Sequence, residues 1–308
     1  MSTPDAAEEQ HTAEQTGDRL ADSPQESDSA AVALERTYVH HVYDRIAEHF
    51  SATRYAPWPP VQAFIERLPV GALLLDVGAG NGKYAGCSVA AGHYYVGTDR
   101  CTPLLQLAQC RWGASTDAAS SSRCPGGWSA EWVIADALQQ PFRDGLVDAA
   151  MSIAVLHHFH TAQRRLHGVI ELLRQVRAGG CGLVYVWTEA GLPARLRQRA
   201  QRTADGWLLP WHHRQESAGM APCSGAAPGR RYQRFYHLFA AGELRALVET
   251  AARALESSSP TPTTTVHVVR AGPDRENDMV EFRMAPLAAP GRETPHHCPP
   301  PHGLHRAK

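Results

Sequence analysis

Leu73-Leu74-Leu75-Asp76-Val77-Gly78-Ala79-Gly80-Asn81-Gly82-Lys83 is the stretch whose reading decides the fold. A short apolar run that closes on an acid and is followed by turn residues reads as a buried strand. Glycines at alternate positions let the chain turn sharply and let its backbone approach a ligand with no Cβ in the way. Residues 83–91 suit a helix. Strand, glycine loop and helix together make the nucleotide-cradling unit of open α/β sheets.

The spacing of the glycines narrows the ligand. The dinucleotide fingerprint G-x-G-x-x-G is not met, because the third glycine falls at 82 and Lys occupies position 83. Gly78-x-Gly80-x-Gly82 with Asp76 just ahead of it resembles the cofactor loop of class I S-adenosylmethionine-dependent methyltransferases. The resemblance implies that Asp76 orients the amino-acid end of that cofactor. Another Rossmann-type enzyme stays open as a reading of this loop alone, since glycine fingerprints are shared across these folds.

Working outward, 308 residues suffice for one large domain with a sizeable core or for two small ones. The net charge of −1 excludes a global basic field, so any nucleic-acid binding must come from a local patch. Seven cysteines occur without a C-x-x-C pair, and no run of about 18 apolar residues is present. These features lead us to expect a reduced, soluble protein with no membrane span, placed in the cytoplasm with the nucleus as the alternative. Cys87, Cys101, Cys110 and Cys181 fall in elements expected to be core and read as small hydrophobes. No metal site is expected; His296-His297-Cys298 sits in a Pro-rich tail.

Residues 1–30 are acidic and almost free of large apolar groups, so they read as a disordered tail. Residues 31–287 read as one domain with insertions at 113–130 and 207–234, and 288–308 as a Pro/His-rich disordered tail. Order is expected near Leu34, where Leu34, Tyr38, Val42, Ile46 and Phe50 recur at helical spacing. A Pro-rich stretch, 51–60, then carries Arg54, either as a solvated surface residue or on a lid. A helix resumes at 60–68. Strands are expected at 94–98, 132–135, Val147–Ile153, 182–187, 266–269 and 279–282, with helices at 83–91, 103–111, 161–177 and 192–202. This alternation predicts an α/β fold: a seven-stranded, mostly parallel Rossmann-like sheet with helices on both faces and an antiparallel last strand.

Ligands of open α/β sheets lie at the carboxyl ends of the strands. Here those ends carry Asp76, Asp99, Asp136-Ala137 and His157-His158. Asp99 is placed to accept ribose hydroxyls; Asp136 and the Ala137 N–H are placed to meet an adenine ring. Each acid alone also fits a turn or a helix cap; three in register fit a nucleoside site better.

Several stretches resemble the tRNA wobble-uridine carboxymethyl methyltransferase family, the Trm9 type and the methyltransferase domain of its AlkB-fused animal relatives. They are Tyr38-Val39-His40-His41-Val42-Tyr43-Asp44, Thr53-Arg54-Tyr55-Ala56-Pro57-Trp58-Pro59, Val96-Gly97-Thr98-Asp99-Arg100, Ser152-Ile153-Ala154-Val155-Leu156-His157-His158, Pro210-Trp211 and Arg234-Phe235-Tyr236-His237. The likeness covers about residues 35–285. It implies methyl esterification of the carboxylate of 5-carboxymethyluridine or its 2-thio form, with S-adenosylmethionine held by Asp76, Gly78, Gly80, Gly82, Asp99, Arg100, Asp136, Ala137 and Ile153. It also implies a tRNA substrate and a small zinc-binding activator of the Trm112 type, docked along the edge near the third strand. Such chemistry needs no strong base, but it needs a cation on the carboxylate; Arg54 is the candidate for that clamp and His157 for a hydrogen bond beside it. His157 also reads as a structural histidine. Trp58, Trp211 and Tyr236 read either as platforms for the flipped base or as core anchors. Arg164, Arg165, Arg195, Arg197, Arg199, Arg202, Arg230, Arg231 and Arg234 supply positive charge for RNA; Arg195 to Arg202, on an expected helix, also read as a solvated face. A class I methyltransferase acting on a small molecule and a catalytically silent tRNA-binding relative remain the rival readings.

Overall fold

A computed structural model describes residues 24–112, 130–212, 231–258 and 264–287. The tail 288–308, most of the first tail, residues 113–129 and residues 213–230 lie outside the described residues.

The central sheet has seven strands: β1 (Leu73–Val77), β2 (Tyr94–Asp99), β3 (Ala130–Ile134), β4 (Val147–Ile153), β5 (Val176–Trp187), and the later β9 (Thr264–Asp274) and β10 (Asn277–Pro286). Their order is β3-β2-β1-β4-β5-β10-β9. The first five are parallel, and β10 runs antiparallel between β5 and β9. The strand order reverses direction between β1 and β4, so a crevice opens at their carboxyl ends.

Both faces are covered. α6 (Ala162–Gln175) and α8 (Glu243–Ser258) bury Val169, Leu172, Leu173, Leu244, Val248 and Ala251 against Leu75, Val77 and Val184. On the other face α3 (Pro59–Glu66) and α4 (Ala85–Ala90) bury Val61, Phe64, Ile65 and Ala85 against Leu74, Tyr95 and Tyr185. Leu74 and Leu75 point to opposite faces, as the pleat requires, and both are buried completely. Full burial of each such side chain contributes roughly 1.5–3 kcal/mol.

The N-terminal part differs from the sequence expectation. Helix α1 (Pro24–Glu35) begins ten residues ahead of Leu34, and it passes through a π turn, Arg36–His40, into α2 (His41–Thr53). The reason lies in ion pairs. Arg164 on α6 makes a two-pronged contact with Glu35, at 2.8 Å through Nε and 2.8 Å through Nη2, and its Nη1 reaches Asp28 at 2.9 Å. Polar residues are thus ordered by a partner distant in sequence. Arg165 is also buried, donating to the carbonyls of Phe159 and His160. These two arginines therefore serve the fold and not an RNA-facing surface.

Three further differences matter. The helix expected at 192–202 shrinks to one turn, α7 (Ala194–Arg197), followed by the short strand β6 (Gln201–Arg202). The 207–234 insertion supplies β7 (Trp207–His212) and β8 (Arg231–Tyr236), which pair antiparallel and form a second, three-stranded sheet with β6. Helix α8 (Glu243–Ser258) has no counterpart among the expected helices, although Leu244, Val248, Ala251 and Leu255 carry its period. Helix α5 (Thr102–Trp112) forms as expected, yet its Cys110 is exposed.

Glu35→Ala is expected to lower the unfolding free energy by roughly 3 kcal/mol, because a largely buried guanidinium loses its carboxylate. Asp28 lies in the open, so Asp28→Ala should change it by less than about 1 kcal/mol. Urea denaturation midpoints of the two variants check the contrast.

Candidate active site

The crevice at the strand ends is a cavity of about 360 Å³ roofed by α2, the π turn and β8. Ten of the eleven residues singled out from the sequence line it: Arg54, Asp76, Gly78, Gly80, Asp99, Arg100, Asp136, Ala137, Ile153 and His157. Gly82 does not. A Cβ there would run into Trp132 and Ala108, so its lack of a side chain lets the loop pack on β3 and α5.

Gly78 and Gly80 both sit at positive φ, +78° and +57°, which side chains resist. A Cβ on Gly78 would overlap Val155. The loop is pinned to β2: the N–H groups of Gly78 and Ala79 donate to the Thr98 carbonyl, each at 2.8 Å. Asp99 accepts the Gly80 N–H at 2.8 Å on one oxygen and the Cys101 N–H at 2.8 Å on the other. Each oxygen keeps a lone pair for a ligand hydroxyl. Asn81 is buried and donates from its amide to Ser51 Oγ at 3.2 Å and to the Arg54 carbonyl at 3.3 Å, tying the roof to the loop.

Asp76 is buried at the floor and accepts a 2.6 Å hydrogen bond from the Tyr95 hydroxyl. Burial raises its pKa to about 7, against that hydrogen bond and the nearby Lys83 charge. Lys83 Nζ stands 4.5 Å from the Trp58 ring centre and 4.8 Å from that of Tyr84; burial lowers its pKa to about 8. Asp136 holds Arg100 at 2.8 Å and accepts the Leu138 N–H at 2.9 Å.

The deep end is built by the segment after β4. Ala154 is held at φ +64°, a strained value for a residue with a side chain, and the short 3-10 helix Leu156–His158 follows. His157 is buried and stacks on Tyr236, ring centres 4.9 Å apart. The Trp187 N–H donates to His157 Nδ1 at 3.2 Å, so the ring proton is assigned to Nε2. Burial, then the neighbouring His158 and Arg234, push its pKa well down and keep it neutral. His158 donates from Nδ1 to the Phe235 carbonyl at 2.8 Å and accepts from the Tyr43 hydroxyl at 3.0 Å. Tyr43 in turn accepts from Arg234 at 3.3 Å.

Arg54 is exposed at the rim. Its Nη1 donates to the Thr53 carbonyl at 3.0 Å and its guanidinium carbon stands 5.6 Å from the Trp211 ring centre. Trp58 and Tyr236 line the cavity, whereas Trp211 lies outside it, buried beside Phe50 and His49. The sequence reading missed Tyr43 and Lys83, and it took Arg234 for surface charge; only the Arg-x-Tyr-His motif pointed toward that residue. Among the described residues no cluster of His, Cys, Asp or Glu is arranged to hold a metal ion, and no helix is long and apolar enough to cross a membrane.

A cradle of positive-φ glycines with acids at three successive strand ends suits a nucleoside that carries an amino-acid end. The fold and this cradle define a class I methyltransferase, with S-adenosylmethionine as cofactor. A methyltransferase-domain family model matches residues 75–184. The chain is 39% identical over 232 residues to the tRNA (carboxymethyluridine(34)-5-O)-methyltransferase of Schizosaccharomyces pombe, covering 71% of this chain and 90% of that protein. It is 35% identical over 263 residues to the tRNA (carboxymethyluridine(34)-5-O)-methyltransferase alkbh8 of Xenopus tropicalis, covering 73% of this chain and only 39% of that longer protein. A solved structure from Pyrococcus horikoshii superposes with a TM-score of 0.52 at 13% identity, over 77% of this chain and 98% of that one, a likeness of fold. The chain belongs to the tRNA (carboxymethyluridine(34)-5-O)-methyltransferase family.

The raised pKa of Asp76 has a stability consequence. Its pKa is higher folded than unfolded, so the folded state is favoured most below about pH 4, and that contribution is lost as pH rises to about 7. Asp76→Asn removes the loss. Unfolding free energies measured from pH 4 to 8 are expected to shift in the variant's favour as pH rises, by an amount on the order of a few kcal/mol. A constant difference between the two proteins would exclude a buried carboxyl that ionises near neutrality.

Proposed function

We propose that the chain transfers a methyl group from S-adenosylmethionine to the carboxylate of 5-carboxymethyluridine, or its 2-thio form, at the tRNA wobble position. The observation that carries this reading is one cavity with two unlike ends: an acid-lined glycine cradle at one, and neutral His157 with guanidinium groups at the other. The first suits a cationic nucleoside and the second a carboxylate.

The substrate carboxylate is ionised near pH 7, so no base is required. Bound S-adenosylmethionine supplies a methyl carbon on a positively charged sulfur; a carboxylate oxygen bonds to it, the carbon–sulfur bond breaks with its electron pair staying on sulfur, and no proton moves. The protein's task is placement. Asp76 takes the ammonium end and Asp99 the ribose hydroxyls. Asp136, oriented by Arg100, takes the adenine amino group with the Ala137 N–H beside it, and Ile153 forms an apolar wall. His157 donates from Nε2 to the carboxylate, and Arg54 closes over it from the rim. Tyr236, stacked between His157 and Trp187, sets the depth to which a flipped base enters.

Exposed Arg195, Arg197, Arg199, Arg202 and Arg231 offer phosphate contacts on the same side as the second sheet. A tRNA substrate places this work in the cytoplasm or nucleus. A Trm112-type activator fits the edge strand β3, whose Ile134 is 63% exposed.

Labelled cofactor and tRNA from cells lacking the family enzyme test the proposal. Mass spectrometry of the nucleosides should show the methyl ester of 5-carboxymethyluridine. Transfer to a small metabolite with none to tRNA, activator present, would sink it. Arg54→Lys should lower kcat/KM about 10- to 100-fold, since a point charge cannot replace a fork. His157→Ala should lower kcat by roughly 10²–10³ at unchanged cofactor affinity. Ile134→Lys should abolish co-purification with the activator.

A further inference from the structure

Arg234 lies on β8 and lines the cavity, yet only 4% of it is exposed. Its guanidinium is surrounded by ring faces: its carbon stands 4.6 Å from the centre of Trp211, 5.2 Å from Tyr236 and 5.9 Å from Tyr43. Among the described residues its one hydrogen bond goes to the Tyr43 hydroxyl, and it belongs to no ion pair. Its Nε is buried with no acceptor. A buried charge ordinarily comes with an opposite charge, and Arg164 and Arg174 in this same protein do. A guanidinium left without one inside a binding cavity is a preformed anion site.

We propose that Arg234 is the residue that holds the substrate's carboxylate and thereby distinguishes the acid from its methyl ester. The inference rests on the reaction proposed above and deepens it. Arg54 closes over the same carboxylate from the rim, in solvent, where its attraction is screened, so the buried guanidinium carries most of the discrimination. Arg234 sits beside His157 and His158, and its charge helps keep both rings neutral. With one Nη1 proton on Tyr43, the remaining Nη1 and Nη2 protons are left to form the two parallel bonds that a carboxylate accepts end-on. The Tyr43 hydroxyl donates to His158, so its oxygen accepts from Arg234; the relay Arg234–Tyr43–His158–Phe235 carbonyl fixes the fork's orientation before substrate arrives. Esterification removes the anionic charge that this fork holds. The product is therefore released from a site that still binds the substrate, which gives the enzyme a direction of binding as well as of chemistry.

The test is equilibrium binding of the full chain, with its activator where one is required, to two anticodon stem-loops. One carries 5-carboxymethyluridine and the other its methyl ester. The unaltered protein is expected to prefer the acid at least tenfold. Arg234→Gln should bring the ratio to about one, and Arg234→Lys should recover part of it, while S-adenosylmethionine affinity stays within about twofold. Arg234→Met, which keeps the apolar stem, is expected to melt no lower than the unaltered protein. If Arg234→Gln keeps the preference for the acid, the assignment is wrong, and loss of the preference in Arg54→Gln would move it to the rim. If both stem-loops weaken equally and Arg234→Met melts several degrees lower, Arg234 is structural and the proposal falls. If the unaltered protein shows no preference and esterifies no tRNA, the reaction itself is misassigned, a result separable from failure of Arg234 alone.

Discussion

Asp76, Lys83 and Arg234 are charged groups held in one cavity with no ion pair of their own among the described residues, and the desolvation of these groups is the constraint around which the structure is arranged. Removing a charge from water without a partner is unfavourable, and a chain selected for stability alone would not place three together. Each is offset locally by softer contacts, and Asp76 and Lys83 also by each other's opposite charge. Asp76 has the Tyr95 hydroxyl, Lys83 has two ring faces and Arg234 has three. Such contacts lower the penalty and leave the charge available to a ligand.

The rest of the fold supplies what this arrangement needs. The apolar clusters on both sheet faces give rigidity, and the strand ends place the acids in register. The roof is a separate device. The Glu35–Arg164 pair anchors α1 to α6, Asn81 fastens the end of α2 to the glycine loop, and β8 brings Arg234 and Tyr236 beside the two histidines. Two pieces far apart in sequence, the N-terminal helices and the second sheet, thus close over one crevice. They pack on each other through Val39, Val42 and Ile46 against Leu208, Trp211, Tyr232 and Phe235, and Tyr43 reaches from the helices to His158 and Arg234.

The sheet was legible in the sequence because its signals are local: apolar runs ending in Asp76, Asp99 and Asp136, and glycines that only a tight turn explains. That the loop glycines and the strand-end acids meet in one crevice was legible for the same reason, since strand ends carry them. The roof was not. Helix α1 is polar and is ordered by Arg164, over a hundred residues away, so no period in 24–33 announces it. The π turn at Arg36–His40 keeps Tyr38 and Val42 on a near-helical period and is invisible to pattern reading. Arg234 read as surface charge because it stands in an arginine-rich stretch; that it is buried follows from pairing of β8 with β7, a contact across the insertion. Gly82 was read as cofactor-binding from its spacing, while its place is set by the bulk of Trp132, which sequence alone does not position.

The protonation pattern of the cavity fits the proposed transfer and argues against a mechanism built on proton abstraction. A general base works best with a pKa near the working pH and a vacant acceptor nitrogen aimed at the substrate. His157 has neither: its Nδ1 is taken by the Trp187 N–H, its Nε2 carries the proton, and burial keeps it from charging. His158 has both nitrogens engaged. Asp76 has its pKa raised to about 7 by burial, but it lies under the glycine cradle, at the end of the cavity proposed for the cofactor. Beside His157 the described residues place donors, the His157 Nε2–H and the Arg234 and Arg54 forks, while burial lowers the pKa of His40, the other histidine of the cavity wall, to about 4, so it makes a weak base. Donors converging on one point stabilise a group that is already an anion. A nucleophile that had first to lose a proton, such as a hydroxyl or an amine, would find no help there, whereas a carboxylate needs none.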